Sequence, residues 1–261
     1  MSPNLKTLAR WVTLFVDPRK VVTWFYLPRF FRHWRKFQSA SIEQLLVRES
    51  YPCLNDWVAS TPFDPHYFYQ GAWLARALAV TQPDQHVDVG SSVLTIGVLS
   101  AQVQTLFVDY RPLNANLHNL TSISGTILSL PFADNSISSL SSMHVIEHIG
   151  LGRYGDPIDP EGASKAALEL VRVLKPGGRL YVTAPIGRAR VCFNAHRVFS
   201  PKGLAHLFAG LEVKCFNWVD DQGEFHQNGL LADAVASEYA CGFYEFEKPI
   251  NSIGKSIAID L

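Results

Sequence analysis

The sequence predicts an α/β fold, a mostly parallel sheet with helices on both faces, preceded by a helical N-terminal extension. Three observations carry that prediction. From Phe68 onward, short apolar runs alternate with longer stretches of helical periodicity, and such alternation implies a largely parallel sheet covered on both sides. The first run, residues 86–89, ends on Gly90 and leads straight into a helical segment. A glycine at that junction lets backbone approach a ligand closely, beside the free N–H groups of the helix. The second run, residues 104–108, closes on Asp109.

The remaining elements follow in order. Residues 68–80 read as a helix, and residues 92–103 as the helix after Gly90. Ile137–Met143 fits a further strand, although its serines are poor strand formers. The clearest helix comes next. Asp159 suits the N-cap, Pro160 the first helical position and Glu161 the positive end of the dipole. Ala163, Ala166, Ala167, Leu170, Val171 and Leu174 form its buried face. Pro176-Gly177-Gly178 ends it, and residues 179–184 continue as a strand. Ser200-Pro201 opens another helix through Phe208, and strands at Glu212–Val219 and residues 239–247 complete the pattern.

Residues 1–67 are expected to form a basic, aromatic-rich extension, and residues 68–261 the main domain. Up to Gln38 the bases are Lys6, Arg10, Arg19, Lys20, Arg29, Arg32, Arg35 and Lys36, against Asp17 alone. Pro18 and Pro28 break this part into short helical pieces. In the first piece Leu5, Leu8, Trp11, Val12 and Phe15 make one apolar stripe. Two roles fit the extension. Its aromatics could cover the sheet or form a lid, the reading preferred because most aromatics pack. Alternatively the bases and aromatics meet an anionic membrane surface as a peripheral contact.

Composition narrows the function classes. With 48% apolar and 18% charged residues the chain is an ordinary globular protein. Lys and Arg (23) equal Asp and Glu (23), so no overall cationic field points to nucleic acid. The four cysteines lie far apart without a C-x-x-C pair, which speaks against a zinc knuckle or a disulfide framework. A reducing, cytoplasmic setting is therefore expected, peripheral to the membrane if the extension meets lipid. No run approaches the ~18 apolar residues of a spanning helix. Asp17 to Lys20 interrupt any secretory hydrophobic region. The sequence carries no signal for oligomeric state.

In an open parallel sheet a ligand sits beyond the carboxyl ends of the strands, where strand order reverses. That places a site around Gly90, Asp109, the segment after Met143 and the loop after Ala184. The dinucleotide pattern G-x-G-x-x-G is not met, since Ser92 and Thr95 stand at the later glycine positions. A smaller nucleoside is favoured over a dinucleotide. Asp109 comes 19 residues after Gly90, close to the ~20 expected of an acid that accepts ribose hydroxyls. The competing reading is a loop aspartate that merely ends a strand.

The run Leu130-Pro131-Phe132, then Asp134, then Ser142 to His148, then Arg172-Val173-Leu174-Lys175-Pro176-Gly177-Gly178 resembles class I S-adenosylmethionine-dependent methyltransferases. The string Gly150-Leu151-Gly152-Arg153-Tyr154-Gly155-Asp156-Pro157-Ile158-Asp159-Pro160 resembles an uncharacterised methyltransferase-like family known from nematodes and bacteria. The resemblance implies a Rossmann-like class I methyltransferase fold with a mostly parallel seven-stranded sheet, and S-adenosyl-L-methionine as cofactor. It implies that Asp88, Gly90, Ser91 and Ser92 line the methionine moiety and that Asp109 holds the ribose. Thr126 and Ile127 would lie beside adenine, Thr126 departing from the acid of many relatives. His144 and Val145 would follow the fourth strand, near the sulfonium and the acceptor.

An oxygen acceptor needs a base, and His144 or His148 is best placed for that work near neutral pH; the alternative is that both support the fold. His144-x-x-Glu147-His148 also spells an inverted zinc-protease motif. That motif requires a helix, whereas this segment leaves a predicted strand, so no protease is expected. The resemblance also leaves open a divalent ion, since some related methyltransferases hold one on a similar E-x-x-E-H cluster, but His144 replaces its first acid here and no metal ligand is assigned. Residues 187–197 hold Arg188, Arg190, Asn194, His196 and Arg197. In this fold such a loop faces the acceptor, with Asn194 and Arg197 the preferred contacts; a solvated basic loop is the competing reading. The leading function is methyl transfer to a small-molecule or glycan acceptor, including a lipid-linked one. Ser92 and Thr126 motivate a rival, a non-catalytic S-adenosylmethionine-binding or scaffold protein. A nucleotide-dependent oxidoreductase is disfavoured by the missing glycines.

Overall fold

The computed structural model describes residues 24–250. The chain divides into two compact units between Phe63 and Asp64. In the first, α1 spans Leu27–Ala40 with Pro28 in its first turn, where a missing N–H costs nothing. Pro28 therefore starts a helix rather than breaking one. Arg29 stacks over Tyr26 (4.7 Å) and Trp57 (4.5 Å) and donates to the Leu54 carbonyl at 2.9 Å. The stripe from Leu5 to Phe15, Pro18 and the bases Lys6, Arg10, Arg19 and Lys20 lie outside the described residues. Among those described, no helix is long and apolar enough to cross a membrane.

The second unit opens with α2 (Pro65–Thr81), which begins ahead of Phe68 because the Asp64 carboxylate caps it, accepting the Tyr67 N–H at 3.3 Å. There follow β1 (Gln85–Val89), α3 (Val93–Leu99), β2 (Gln104–Asp109), β3 (Leu120–Ser124) and β4 (Ile137–Met143). Next come α4 (Gly162–Val173), β5 (Leu174–Ile186), β6 (Arg190–Cys192), β7 (His196–Val198) and α5 (Pro201–Leu207). The chain closes with β8 (Glu212–Val219), β9 (Phe225–His226) and β10 (Ala240–Glu247).

The sheet runs β3-β2-β1-β4-β5-β10-β8-β9. The strands from β3 to β5 are parallel, while β10 lies antiparallel to both β5 and β8. It is the expected seven-stranded sheet with the two-residue β9 added at one edge. One face is covered by α4, whose Ala163, Ala166, Ala167 and Leu170 are buried in a cluster with Leu140 and Val182. The other is covered by α2 and α3, whose Leu74, Leu78, Ile96 and Leu99 pack with Phe107, Met143 and Tyr181.

Some boundaries moved. Helix α4 starts at Gly162 with Glu161, not Asp159, at the N-cap position. The Asp159 carboxylate instead accepts the Glu161 N–H (3.0 Å) and the Lys165 ammonium (2.6 Å), while its own N–H reaches the Gly150 carbonyl. Leu174 belongs to β5, which runs through Pro176-Gly177-Gly178 across a register shift against β4. Helix α3 stops at Leu99, earlier than residue 103, where the Ser100 hydroxyl bonds the Gly97 carbonyl.

The serines of β4 have a structural use. His86 and Asp88 on β1 are fully buried, as are Ser141 and Ser142, and Ser139 nearly so. Ser141 donates to the Asp88 carboxylate, so it must accept from His86 Nε2 at 2.8 Å. His86 Nδ1 then accepts from Ser139 at 2.8 Å. Asp88 also takes the Ser91 hydroxyl (2.7 Å) and backbone N–H (3.0 Å). A directed chain of hydrogen bonds thus crosses from β4 to β1 and back. Burial drives the His86 pKa down to about 3 and pushes that of Asp88 up to about 6.

Ser141→Ala would strand the His86 Nε2–H and remove a donor from Asp88, so about 1–3 kcal/mol of stability should go. A denaturation midpoint equal to wild type would exclude any net contribution from the chain. The two shifts also oppose one another. A depressed His86 pKa gives stability that is lost as pH falls from about 6.5 toward 3. A raised Asp88 pKa gives stability that is lost as pH rises from 3.8 toward about 6. Between about pH 4 and 6 they cancel, so Asp88→Asn should steepen acid destabilisation there by about 1.4 kcal/mol per pH unit. Denaturation curves across that range measure it, and an unchanged slope would refute the assignment.

Candidate functional site

Strand order reverses between β1 and β4, and a cleft opens at their carboxyl ends. Gly90 forms its floor with φ +75°, donating its N–H to the Val108 carbonyl at 2.9 Å. A Cβ there would stand 3.2 Å from Val145 Cγ1 and 3.8 Å from Asp109 Oδ2. Only glycine takes this turn without strain and leaves the floor open. Asp109 is held by the Arg111 N–H, which donates to Oδ1 at 2.7 Å, while Oδ2 lies on the Gly90 side. Thr126, Ile127 and Leu128 form the opposite wall, and His144, Val145 and His148 the near one. An aspartate beside a glycine turn, faced by an apolar slot, fits a nucleoside: hydroxyls to the acid, base to the slot.

Other expected cofactor residues take supporting positions. Asp88 lies beneath the turn, entirely inside the hydrogen-bond chain. Ser91 donates to Asp88 and accepts the Met143 N–H at 2.9 Å, clamping the ends of β1 and β4 together. Ser92 stands at the N-cap position of α3 with no side-chain cap bond. None of the three lines the cleft. They fix where Gly90 sits.

The loop between Gly150 and Pro160 closes one side of the cleft through Tyr154, Asp156 and Pro157. Asp156 gathers it by accepting the N–H groups of Gly150 (2.9 Å), Gly152 (3.4 Å) and Tyr154 (3.2 Å). Gly150 adopts φ +79°, and a Cβ there would stand 2.0 Å from the Asp159 carbonyl oxygen. The Tyr154 ring carries Arg111 at 4.9 Å and Arg153 at 5.1 Å. Tyr154, Asp156 and Arg111 were not singled out from the sequence. The first two lie in the glycine-rich string itself, whose spacing was the available signal.

His144 and His148 differ in their attachments. His144, at φ +53°, pairs Nδ1 with the buried Glu147 carboxylate at 2.8 Å and faces Cys241 Sγ with Nε2 at 3.3 Å. Burial opposes charge on His144, but Cys241 and Glu147 outweigh it and hold its pKa well above the ordinary value. Burial pushes the Cys241 thiol up. Both ring nitrogens of His144 are therefore engaged. His148 donates Nδ1–H to the Ala195 carbonyl at 2.7 Å, leaving Nε2 as the basic nitrogen, 3.7 Å from Glu147 Oε1.

The expected acceptor contacts lie away from this wall. Arg197, on β7, donates to the Ile149 carbonyl at 2.6 Å and reaches the Glu147 and Pro160 carbonyls at 3.5 and 3.3 Å. Its guanidinium ties β7 to the cleft loop rather than offering itself to an anion. Asn194 is exposed in the turn between β6 and β7 and does not line the cleft. Arg188 and Arg190 are likewise bound, to the Glu238 carboxylate and carbonyl respectively.

A sheet of this order, with its cleft at the β1–β4 reversal, defines a Rossmann-like domain of the class I methyltransferase fold. The chain belongs to the family described as "Caenorhabditis protein of unknown function, DUF268", whose profile matches residues 89–254. Among solved structures it is similar to the N-methyltransferase NodS from Bradyrhizobium japonicum WM9 in complex with S-adenosyl-L-homocysteine. That match has a TM-score of 0.50 and 15% identity over 71% of this chain and 89% of that one. It is similar also to a candidate sarcosine dimethylglycine methyltransferase from Galdieria sulphuraria, with a TM-score of 0.50 and 18% identity over 70% and 86%. No curated protein matches the chain.

Gly150→Ala should force the loop off Asp159, since both the contact and the positive φ forbid a side chain. Hydrogen exchange should quicken across residues 150–160 while β1 and β4 keep their protection. Wild-type protection throughout the loop would show that Gly150 is not what closes it.

Proposed function

We propose that the chain is an S-adenosylmethionine-dependent methyltransferase acting on a small-molecule or glycan acceptor. The observation that carries this reading is the Gly90 turn at φ +75° facing Asp109 Oδ2 across the cleft floor. The methyltransferase fold supports it. When bound, S-adenosylmethionine supplies a methyl group already activated on a sulfonium. The chain's part is to hold donor and acceptor in line and to exclude water. Asp109 accepts hydrogen bonds from ribose hydroxyls, and Ile127 and Leu128 cover the base. His144 and Val145 bound the reacting end. His148 Nε2, with Nδ1 anchored on Ala195, accepts the proton of a hydroxyl acceptor. In the extension, the bases of α1 suit an anionic membrane surface presenting a lipid-linked acceptor.

Calorimetry with S-adenosylmethionine and S-adenosylhomocysteine is the test. Both should bind the wild type, and Asp109→Ala should weaken each by roughly 10- to 100-fold, the loss of charge-assisted hydrogen bonds worth ~1.5–3 kcal/mol. No binding at millimolar ligand would reject the proposal, and equal affinity in the variant would remove Asp109 from the site. With an acceptor found by panel screening, His148→Gln should bind the product normally yet turn over at least ~100-fold more slowly. Unimpaired turnover would reject His148 as the base.

A further inference from the structure

His66, His144 and Cys241 each direct one ligand atom into a common space, all within 4.8 Å of one another. They come from the first turn of α2, the end of β4 and the start of β10. Two imidazoles and a thiol are the donor set of zinc rather than of magnesium or calcium. Around one tetrahedral zinc, ligand atoms stand roughly 3.3–3.6 Å apart, given Zn–N of about 2.0–2.1 Å and Zn–S of about 2.3 Å. His144 Nε2 and Cys241 Sγ already stand 3.3 Å apart. The His66 ring lies nearly parallel to that of His144, with centroids 5.8 Å apart. Bringing its donor to that spacing takes about an ångström of side-chain movement.

A second observation concerns the carboxylate behind His144. Glu147 is buried, and its Oε2 has no hydrogen-bond partner. A carboxylate taken out of water is stabilised by positive charge placed nearby. Its Oε1 pairs with His144 Nδ1, the nitrogen turned away from the cluster. A carboxylate on the far nitrogen is the usual partner of a metal-bound histidine, fixing ring orientation and raising ligand basicity. His144 also holds a positive φ of 53°, a backbone state that such constellations maintain at a cost.

We propose that His66, His144 and Cys241 bind a zinc ion, with Glu147 orienting His144 through Nδ1. The ion takes the place of the proton held between Nε2 and Sγ, which passes to solvent. Three protein ligands leave a fourth position for water or for an acceptor oxygen. The site was not expected from the sequence because its ligands share no spacing pattern. It does not depend on methyl transfer, and its test needs no turnover.

Cobalt(II) alone, added to the full chain after chelator treatment, reports the ligands directly. One equivalent should bind, giving visible bands of tetrahedral cobalt and a near-ultraviolet thiolate-to-cobalt charge-transfer band, both erased by zinc. Cys241→Ser should lose the charge-transfer band. His66→Asn, altering a half-buried side chain, should weaken binding at least tenfold with an unchanged circular dichroism spectrum. That variant keeps the test decisive should Cys241→Ser not fold. Binding to the wild type without the charge-transfer band, or undiminished affinity in His66→Asn, would overturn the proposal.

Discussion

The hydrogen-bond chain between β1 and β4 is the constraint on which the cleft depends. These strands meet where the strand order reverses, and their registered pairs are Val87 with Leu140 and Asp88 with Ser141. β1 and β2 stay in register from Gln85 to Val89. The reversal opens the cleft and shortens the ladder beneath it at the same place. Ser139, His86, Ser141, Asp88 and Ser91 supply side-chain bonds where backbone bonds run out. Because Ser91 also accepts the Met143 N–H, the Gly90 turn and the end of β4 are fixed against each other.

That arrangement explains which parts of the molecule were legible in the sequence. Helix α5 was readable from local chemistry, Ser200-Pro201 being its cap and first-turn pair, whereas α2 was legible from Phe68 onward but its Asp64-Pro65 start was not. Strand β4 was legible in place but not in cause. Its serines oppose strand propensity because they serve a network whose other half lies on β1. Strand β3 was missed because Leu-Thr-Ser-Ile-Ser at a sheet edge has neither apolar length nor strong alternation. The start of α4 was misplaced because Asp159-Pro160-Glu161 has good capping chemistry that the fold spends on fastening the cleft loop.

The cleft divides in the same way. Gly90, Asp109, Thr126, Ile127, His144, Val145 and His148 follow strand ends, so topology alone brings them to one wall or another. Arg197 and Asn194 were chosen by chemical type within a basic loop, and type does not say which way a guanidinium is spent. Arg197 spends its guanidinium on the carbonyls of Ile149 and Pro160 in the cleft loop. Cys241 and His66 reach His144 only through the antiparallel return of β10 and the packing of α2, which no local spacing encodes.

Glu147 links the two histidines and thereby their roles. Its Oε1 stands 2.8 Å from His144 Nδ1 and 3.7 Å from His148 Nε2. One buried carboxylate can offset one positive charge well and a second only poorly. His144 holds the shorter contact, while His148 is fixed from its other side by the Ala195 carbonyl at 2.7 Å. The two histidines therefore share one buried carboxylate but are oriented by different anchors.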